Sequence, residues 1–274
     1  MTSDNTVQSA PLRVFITGAS SGLGAALARH YAQQGATLGL VARRADALRQ
    51  LASEFPAAQC LVYALDVNEH AALTAAATDF IAGGGIDIVI ASAGISAGTL
   101  TEHQGDLAVF ERIVATNLTA TVATFAPFIA AMRASSSVSA PPTPRRRLRL
   151  VGIASVAGIR GLPGAGAYSA SKAAVISYCE SLRVELVGSA IRVVTITPGY
   201  IDTPMTQHNA YRMPFLMAPD AFARRAARAI DAGDRMCVIP WQMGWVARLL
   251  RWMPDALYDR VFCKAPRKSR VVAN

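Results

Sequence analysis

The chain has 274 residues, 52% of them hydrophobic and 16% charged, with a formal net charge of +9. That apolar fraction excludes a chain disordered as a whole, and 20 Gly with 4 Cys exclude collagen-like and disulfide-scaffold classes. The length fits one large α/β domain or two small ones, with apolar surface enough for a core that needs no staples.

Residues 1–11 are polar, with no basic stretch leading into an apolar one, so no secretory signal is read there. Arg13–Thr17 (RVFIT) reads as a buried strand, followed by a helix over 22–34 that Gly35 ends. A second strand covers 36–42, then a helix 44–54, then a third strand 60–65. The next helix begins at Glu69 with Asn68 as N-cap, and Gly83–Gly85 stop it. A fourth strand spans 86–91, and two helices follow at about 104–117 and 119–133. The Ser/Pro-rich stretch 134–147 (ASSSVSAPPTPRRR) reads as an exposed, mobile insertion. A fifth strand covers 148–155, a long helix 167–187 and a sixth strand 191–197. A helix near 218–232 and a seventh strand near 236–240 close the series.

Strands apolar on both faces, alternating with helices, predict an α/β fold with a parallel sheet covered on both sides. Right-handed crossovers make it doubly wound, and ligands of such sheets sit beyond the carboxyl ends of the strands. The catalytic domain is expected over 12–240, with a C-terminal segment at 241–274.

The charge is local. Residues 141–150 hold four Arg and no acid, residues 241–274 hold seven basic and two acidic residues, and the remaining 230 are balanced. A neutral body argues against nucleic acid as a partner. No apolar run reaches the roughly 18–20 residues that span a bilayer. The longest, near 119–132, is interrupted by Pro127. A cytoplasmic protein is expected. Cys60, Cys179, Cys237 and Cys263 are widely spaced, and His30, His70, His103 and His208 show no ligand spacing, so neither a disulfide framework nor a metal site is expected.

The first strand runs into Thr17-Gly18-Ala19-Ser20-Ser21-Gly22-Leu23-Gly24, which opens a helix. Glycines allow a tight turn and close approach to a phosphate, and a helix N-terminus presents N–H groups to it. The plain alternative is an ordinary turn between strand and helix. After the second strand stand Arg43 and Arg44, where an acid would hydrogen-bond a ribose 2′-hydroxyl. Arginine suits a 2′-phosphate, which favours NADP(H), with NAD(H) as the alternative. Asp66, before Val67, either contacts an adenine amino group or caps the next helix.

Tyr168 and Lys172 lie four apart on one helical face. An ammonium and a cationic nicotinamide both favour the phenolate of a tyrosine whose ordinary pKa is about 10. Lys172 is the sole lysine before position 264, against 24 arginines in the chain. Ser155, at the end of the fifth strand, is placed to steady a developing alkoxide. Asn117 reads either as a polar anchor for a water or a backbone bend, or as a helix C-cap.

Together, Thr17-Gly18-x-x-x-Gly22-x-Gly24, Asn117, Ser155, Tyr168-x-x-x-Lys172 and Pro198-Gly199 resemble the short-chain dehydrogenase/reductase family. The resemblance implies a Rossmann-type fold with seven parallel strands, an NAD(P)(H) cofactor and a tetrad of Asn117, Ser155, Tyr168 and Lys172. It implies Tyr168 as general acid/base, Ser155 polarising the carbonyl, Lys172 on the nicotinamide ribose and Asn117 holding a relay water. Pro198, Gly199, Ile201 and Thr203 would line the nicotinamide side, with Ser92, Ala93 and Gly94 also beside the cofactor. It further implies a small carbonyl or alcohol substrate and a homo-oligomer, dimer or tetramer. The chain departs from the family in carrying Ala91-Ser92-Ala93-Gly94 where Asn-Asn-Ala-Gly is usual, and Ser21 where many NADP-users carry a base.

Residues 200–217 mix Met, Phe, Tyr and Pro and read either as an apolar lid over a lipophilic substrate or as surface helices. Trp241, Trp245, Leu249 and Trp252 fall on one helical face, with Arg248 and Arg251 interleaved and Arg260, Lys264, Arg267, Lys268 and Arg270 following. That face either packs on the body or a partner subunit, or makes a peripheral membrane contact. A carbonyl reductase is expected. The rivals are an NAD-dependent alcohol dehydrogenase and a non-catalytic nucleotide-binding protein docked to a membrane or partner.

Overall fold

The computed structural model describes residues 10–137, 147–207, 209, 212–265 and 267. Seven strands form its centre: β1 Arg13–Thr17, β2 Thr37–Ala42, β3 Cys60–Ala64, β4 Ile88–Ala91, β5 Arg149–Ile153, β6 Arg192–Pro198 and β7 Met236–Ile239. All pair in parallel, in the order β3-β2-β1-β4-β5-β6-β7. This is the Rossmann-type doubly wound sheet expected from the sequence.

Side-chain alternation sorts each strand between two cores. Val14, Ile16, Leu38, Leu40, Ile88 and Ile90 pack on one face with α1 (Gly22–Gln33), α2 (Ala45–Ser53) and α8 (Pro219–Ala232). Phe15, Val41, Val89 and Leu150 pack on the other with α3 (His70–Ala82), α5 (Ala120–Ser137) and α6 (Gly166–Glu185). The chain crosses between these faces after β3, so the loops following β1 and β4 diverge and leave a cleft at their carboxyl ends. The remaining helices are α4 (Asp106–Val114), the short α7 (Pro204–Gln207), α9 (Trp241–Trp252) and α10 (Asp255–Phe262).

Four expectations are corrected. The helices expected at 104–117 and 119–133 are one run. A π-turn at Ala115–Thr119 joins α4 to α5, so Asn117 caps nothing. The run Asp106–Ser135 is long and apolar enough to cross a membrane, and 44% of its most apolar window is buried. Phe125, Phe128 and Met132 on it pack with Phe15 and Phe80 in the core. Residues 134–137, expected in a loop, extend α5, while 138–146 lie outside the described residues.

The N-cap of α3 is Glu69, not Asn68. The Asn68 amide instead donates to Asp66 Oδ1 at 2.9 Å and Thr116 Oγ1 at 3.2 Å. Arg147, expected in the mobile insertion, is tied down, as is Arg149 of β5. Arg149 donates to the carbonyls of Ile230 and Asp231 at the end of α8, and Arg147 pairs with Asp231 at 2.9 Å. These cations meet the negative end of a helix dipole. The N-terminal residues 1–9 and the basic residues Lys268 and Arg270 lie outside the described residues.

Candidate active site

The Thr17 hydroxyl, ending β1, accepts hydrogen bonds from the backbone N–H groups of Ser92 (3.2 Å) and Ala93 (3.3 Å). The ends of β1 and β4 are thereby latched, although the chain lacks the two asparagines usual after β4. Gly18 sits at φ +71°, and a Cβ there would stand 2.8 Å from the Ala93 backbone. A Cβ on Gly24 would collide with the Gly18 carbonyl. The glycines of this loop therefore serve close backbone packing as well as open access. Ser21 is the N-cap of α1 but makes no side-chain cap bond, and the first turn of α1 holds no acid. The positive end of that helix dipole is left for an anion.

Arg44 follows β2 and reaches back, its guanidinium donating to Ser20 Oγ at 3.1 Å and Ser20 O at 3.3 Å. Arg43 lies 3.9 Å from Asp66 and is largely exposed. Asp66 Oδ1 accepts from the Asn68 backbone at 2.9 Å, a local turn and not a cap on α3.

Ser155 lies two residues beyond β5, which ends at Ile153 and not at 155 as expected, and it caps a short 3-10 turn, Val156–Gly158, by accepting from Ala157 N at 3.2 Å. That turn lies directly on α6. A Cβ on Gly158 would come within 2.6 Å of the Lys172 carbonyl carbon. Helix α6 presents Tyr168 and Lys172 one turn apart, with Lys172 Nζ 5.9 Å from the Tyr168 ring centroid. Lys172 is buried and donates to Ile153 O at 2.8 Å. Burial lowers its pKa from 10.5 to about 8. Burial also pushes the Tyr168 phenol up, while a hydrogen bond with Ser155 works the other way. The protein's own groups thus do not produce the lowered phenol pKa expected from the Tyr–Lys pair; burial is the larger effect.

Asn117 is fully buried behind these residues. Its Oδ1 accepts from Ile95 N at 2.8 Å, and its amide donates to Ile95 O and Ser171 Oγ, both at 3.0 Å. Ser171 in turn donates to the Tyr168 carbonyl at 2.8 Å.

One cleft gathers these elements. Gly18, Ser20, Ser21, Gly22, Leu23, Gly24, Arg43, Arg44, Asp66, Val67, Ser92, Ala93 and Gly94 line it, with Ser155, Tyr168, Lys172, Pro198, Gly199, Ile201 and Thr203. Of the four residues of the expected tetrad, Ser155, Tyr168 and Lys172 line it and Asn117 does not. Asn68, Arg112 and Thr116 do, and no motif pointed to them. Gly158 and Arg160, which brace the site from behind, also went unread. Their signal is contact with chain distant in sequence.

The donor set fits a dinucleotide. An uncapped helix N-terminus meets the phosphates, serine hydroxyls and two arginines flank it, and a buried ammonium stands at the opposite end.

Residues 13–213 match the family model described as short chain dehydrogenase. The chain belongs to the short-chain dehydrogenase family. An uncharacterised oxidoreductase of Mycobacterium tuberculosis is 38% identical over 258 residues, spanning 90% of this chain and 96% of that one. Another, from Myxococcus xanthus, is 36% identical over 247 residues, spanning 89% and 93%. A 2-dehydro-3-deoxy-L-rhamnonate dehydrogenase (NAD(+)) of Sphingomonas is 36% identical over 191 residues, spanning 69% and 72%. The crystal structure of levodione reductase superposes with a TM-score of 0.72 at 26% identity, covering 85% of this chain and 98% of that one. This short-chain dehydrogenase is an oxidoreductase acting between CH–OH and C=O, of a family that binds NAD(P)(H) and acts on small molecules.

The C-terminal segment completes the site's surroundings. Met243 of α9 lies against Gly199, where a Cβ would be 2.7 Å from its Cγ. Arg160, in the loop between Ser155 and Tyr168, donates to Leu250 O and Met253 O at 3.1 Å each and to Asp255 at 2.6 Å. Its guanidinium stacks over Tyr258, 4.3 Å from the centroid, and the Tyr258 hydroxyl donates to Gly161 O. Of the segment 200–217, expected as a lid or surface helices, Ile201 and Met217 form a parallel bridge, Pro204–Gln207 is helical and Phe215 and Leu216 are exposed, while residues 208, 210 and 211 lie outside the described residues.

Proposed function

We propose that the protein is an NADP(H)-dependent carbonyl reductase for a lipophilic ketone or aldehyde. The observation that carries this reading is the convergence of Ser155, Tyr168 and Lys172 at one end of a cleft whose other end holds Arg43 and Arg44. When bound, the cofactor supplies a hydride to the carbonyl carbon. The Ser155 hydroxyl donates to the substrate oxygen, and Tyr168 gives that oxygen its proton. Lys172 binds the nicotinamide ribose and favours the tyrosinate left behind. Arg43 and Arg44 grip a 2′-phosphate, with Ser20 already in hydrogen-bond contact with Arg44.

The lipophilic assignment rests on Met205 in the cleft wall and on Phe215 and Leu216 standing exposed in the adjoining segment. The outward sides of α4, α5 and α6, with Phe110, Val122 and Val184 exposed, provide the surface for a homo-oligomer. A second reading, an NAD-dependent alcohol dehydrogenase, is favoured by likeness to the NAD(+)-dependent 2-dehydro-3-deoxy-L-rhamnonate dehydrogenase of Sphingomonas.

Initial rates over a panel of ketones and aldehydes with NADPH and with NADH test the assignment. Turnover that favours NADPH and apolar carbonyls is expected. A clear preference for NADH supports the second reading, and no turnover with either cofactor overturns both.

A further inference from the structure

Helix α9 uses its two sides differently. Met243 and Ala247 are buried against the body. The opposite side bears Trp241, Trp245, Leu249 and Trp252, which are 63%, 62%, 67% and 84% exposed. Spacings of four, four and three hold these side chains in one stripe along the helix. Leu257 and Val261, one turn apart on α10, are exposed as well. Packing on the body is therefore already done by the other side, and the aromatic stripe is left to water. A helix facing only water would carry polar residues there.

The charges beside the stripe have one sign. Arg248 and Arg251 are the charged residues of α9, and neither has an acid on that helix to pair with. The Arg248 guanidinium lies over the Trp245 ring at 5.2 Å. On α10, Asp255 is engaged by Arg160 at 2.6 Å, and Asp259 is followed by Arg260 and Lys264. A two-fold contact with a second copy through this stripe would set Arg248 and Arg251 near their own counterparts without an acid on α9 to neutralise them. An anionic bilayer surface meets both features. Tryptophan rings settle at the headgroup level, and arginines bind phosphate and carboxylate headgroups.

We propose that the α9 stripe docks the enzyme on an anionic phospholipid surface, with the helix lying in the interface plane. The proposal does not depend on the reductase assignment, since lipid binding is read without turnover. Because Met243 abuts Gly199 and Arg160 ties α9 and α10 to the loop after Ser155, docking sets the active site next to the lipid phase.

The test is flotation of the full chain with phosphatidylcholine–phosphatidylserine vesicles, against phosphatidylcholine alone, at low and high salt. The variants are Trp241→Ser/Trp245→Ser/Trp252→Ser and the single Trp252→Ser, with Val187→Ser as an exposed apolar control elsewhere. Far-UV circular dichroism and thermal melts report that each variant is folded. The wild type is expected to float with the anionic vesicles, less so at high salt, with a blue shift of its Trp fluorescence. The triple variant should lose roughly tenfold or more in partitioning, the single variant less, and the control nothing. Wild-type protein remaining in the soluble fraction at low salt overturns the proposal. So does a triple variant that floats as well as wild type. A self-association seen by sedimentation velocity without vesicles, lost in the triple variant, assigns the stripe to a second copy instead and equally overturns it.

Discussion

The Asn117 amide donates to Ser171 Oγ at 3.0 Å, and the Ser171 hydroxyl donates to the backbone carbonyl of Tyr168 at 2.8 Å. A π-turn in the long helix is thereby bonded to the turn of α6 that carries the proposed acid/base. Both Asn117 amide hydrogens are used inside the protein, which ties its side chain to the backbone of Ile95 and, through Ser171, to that of Tyr168, as expected of a positioning residue. π-turns of this kind cost helix regularity and persist where a side chain must be re-aimed.

Asn117→Ala should leave Ile95 N–H and C=O without their partner and cost about 2–4 kcal/mol of stability. Denaturant unfolding measures it. Turnover should fall more than substrate KM rises, because the loss acts through Tyr168. An unchanged unfolding midpoint would contradict the positioning role.

Arg160 joins the loop after Ser155 to α9 and α10 through three hydrogen bonds and a ring contact. Arg160→Ala should lower stability by about 1–3 kcal/mol and reduce kcat/KM, since the loop carrying Ser155 loses its brace. Arg160→Lys should recover little, because a single ammonium cannot reach two carbonyls and a carboxylate while lying flat on Tyr258. Thermal melts and steady-state kinetics on both variants check this.

Cofactor selection should lie at the end of β2. Arg43→Ala/Arg44→Ala is expected to weaken NADPH binding by roughly 10–100-fold and NADH binding by only a few-fold, by isothermal calorimetry. Equal losses for the two cofactors would remove the 2′-phosphate from the account.

The pH dependence follows from Lys172. Its pKa is lowered to about 8, so the ammonium is present at neutral pH and is lost as pH rises past that value. Reduction also needs Tyr168 protonated. The kcat/KM for reduction should therefore hold near neutrality and fall on the alkaline side, whereas oxidation of the alcohol product should gain as the phenol ionises. Lys172→Met should lower kcat/KM roughly 100-fold or more and abolish the limb near pH 8. For stability the sign is opposite to a salt bridge. The native state binds fewer protons than the unfolded chain between about pH 8 and the ordinary 10.5, so Lys172's burial penalty is present below that window and relieved across it.

Much of this was legible in the chain. Strands apolar on both faces announced themselves, and β1 and β3 begin where RVFIT and CLVYA begin. The glycine loop, Ser155 and the Tyr168–Lys172 pair lie near one another in sequence or at strand ends, where topology alone brings them together. What was not legible depends on distant contacts. Gly158 matters because of the Lys172 backbone, and Arg160 because of carbonyls about ninety residues later. Asn117 resembled a helix terminator because a π-turn leaves no mark in an apolar pattern. The Trp stripe reads equally as a body-facing or an outward face in sequence, because only the burial of Met243 and Ala247 on the other side of α9 shows that the stripe does not pack on the body.

As the proposed general acid, Tyr168 protonates a carbonyl oxygen beside a bound nicotinamide. Tyr168→Phe keeps the ring and removes only the hydroxyl, so NADPH affinity by calorimetry should stay within a few-fold of wild type. Its kcat/KM for the best carbonyl of the panel should fall by roughly 100–10,000-fold. Turnover equal to wild type, with cofactor binding intact, would contradict the account.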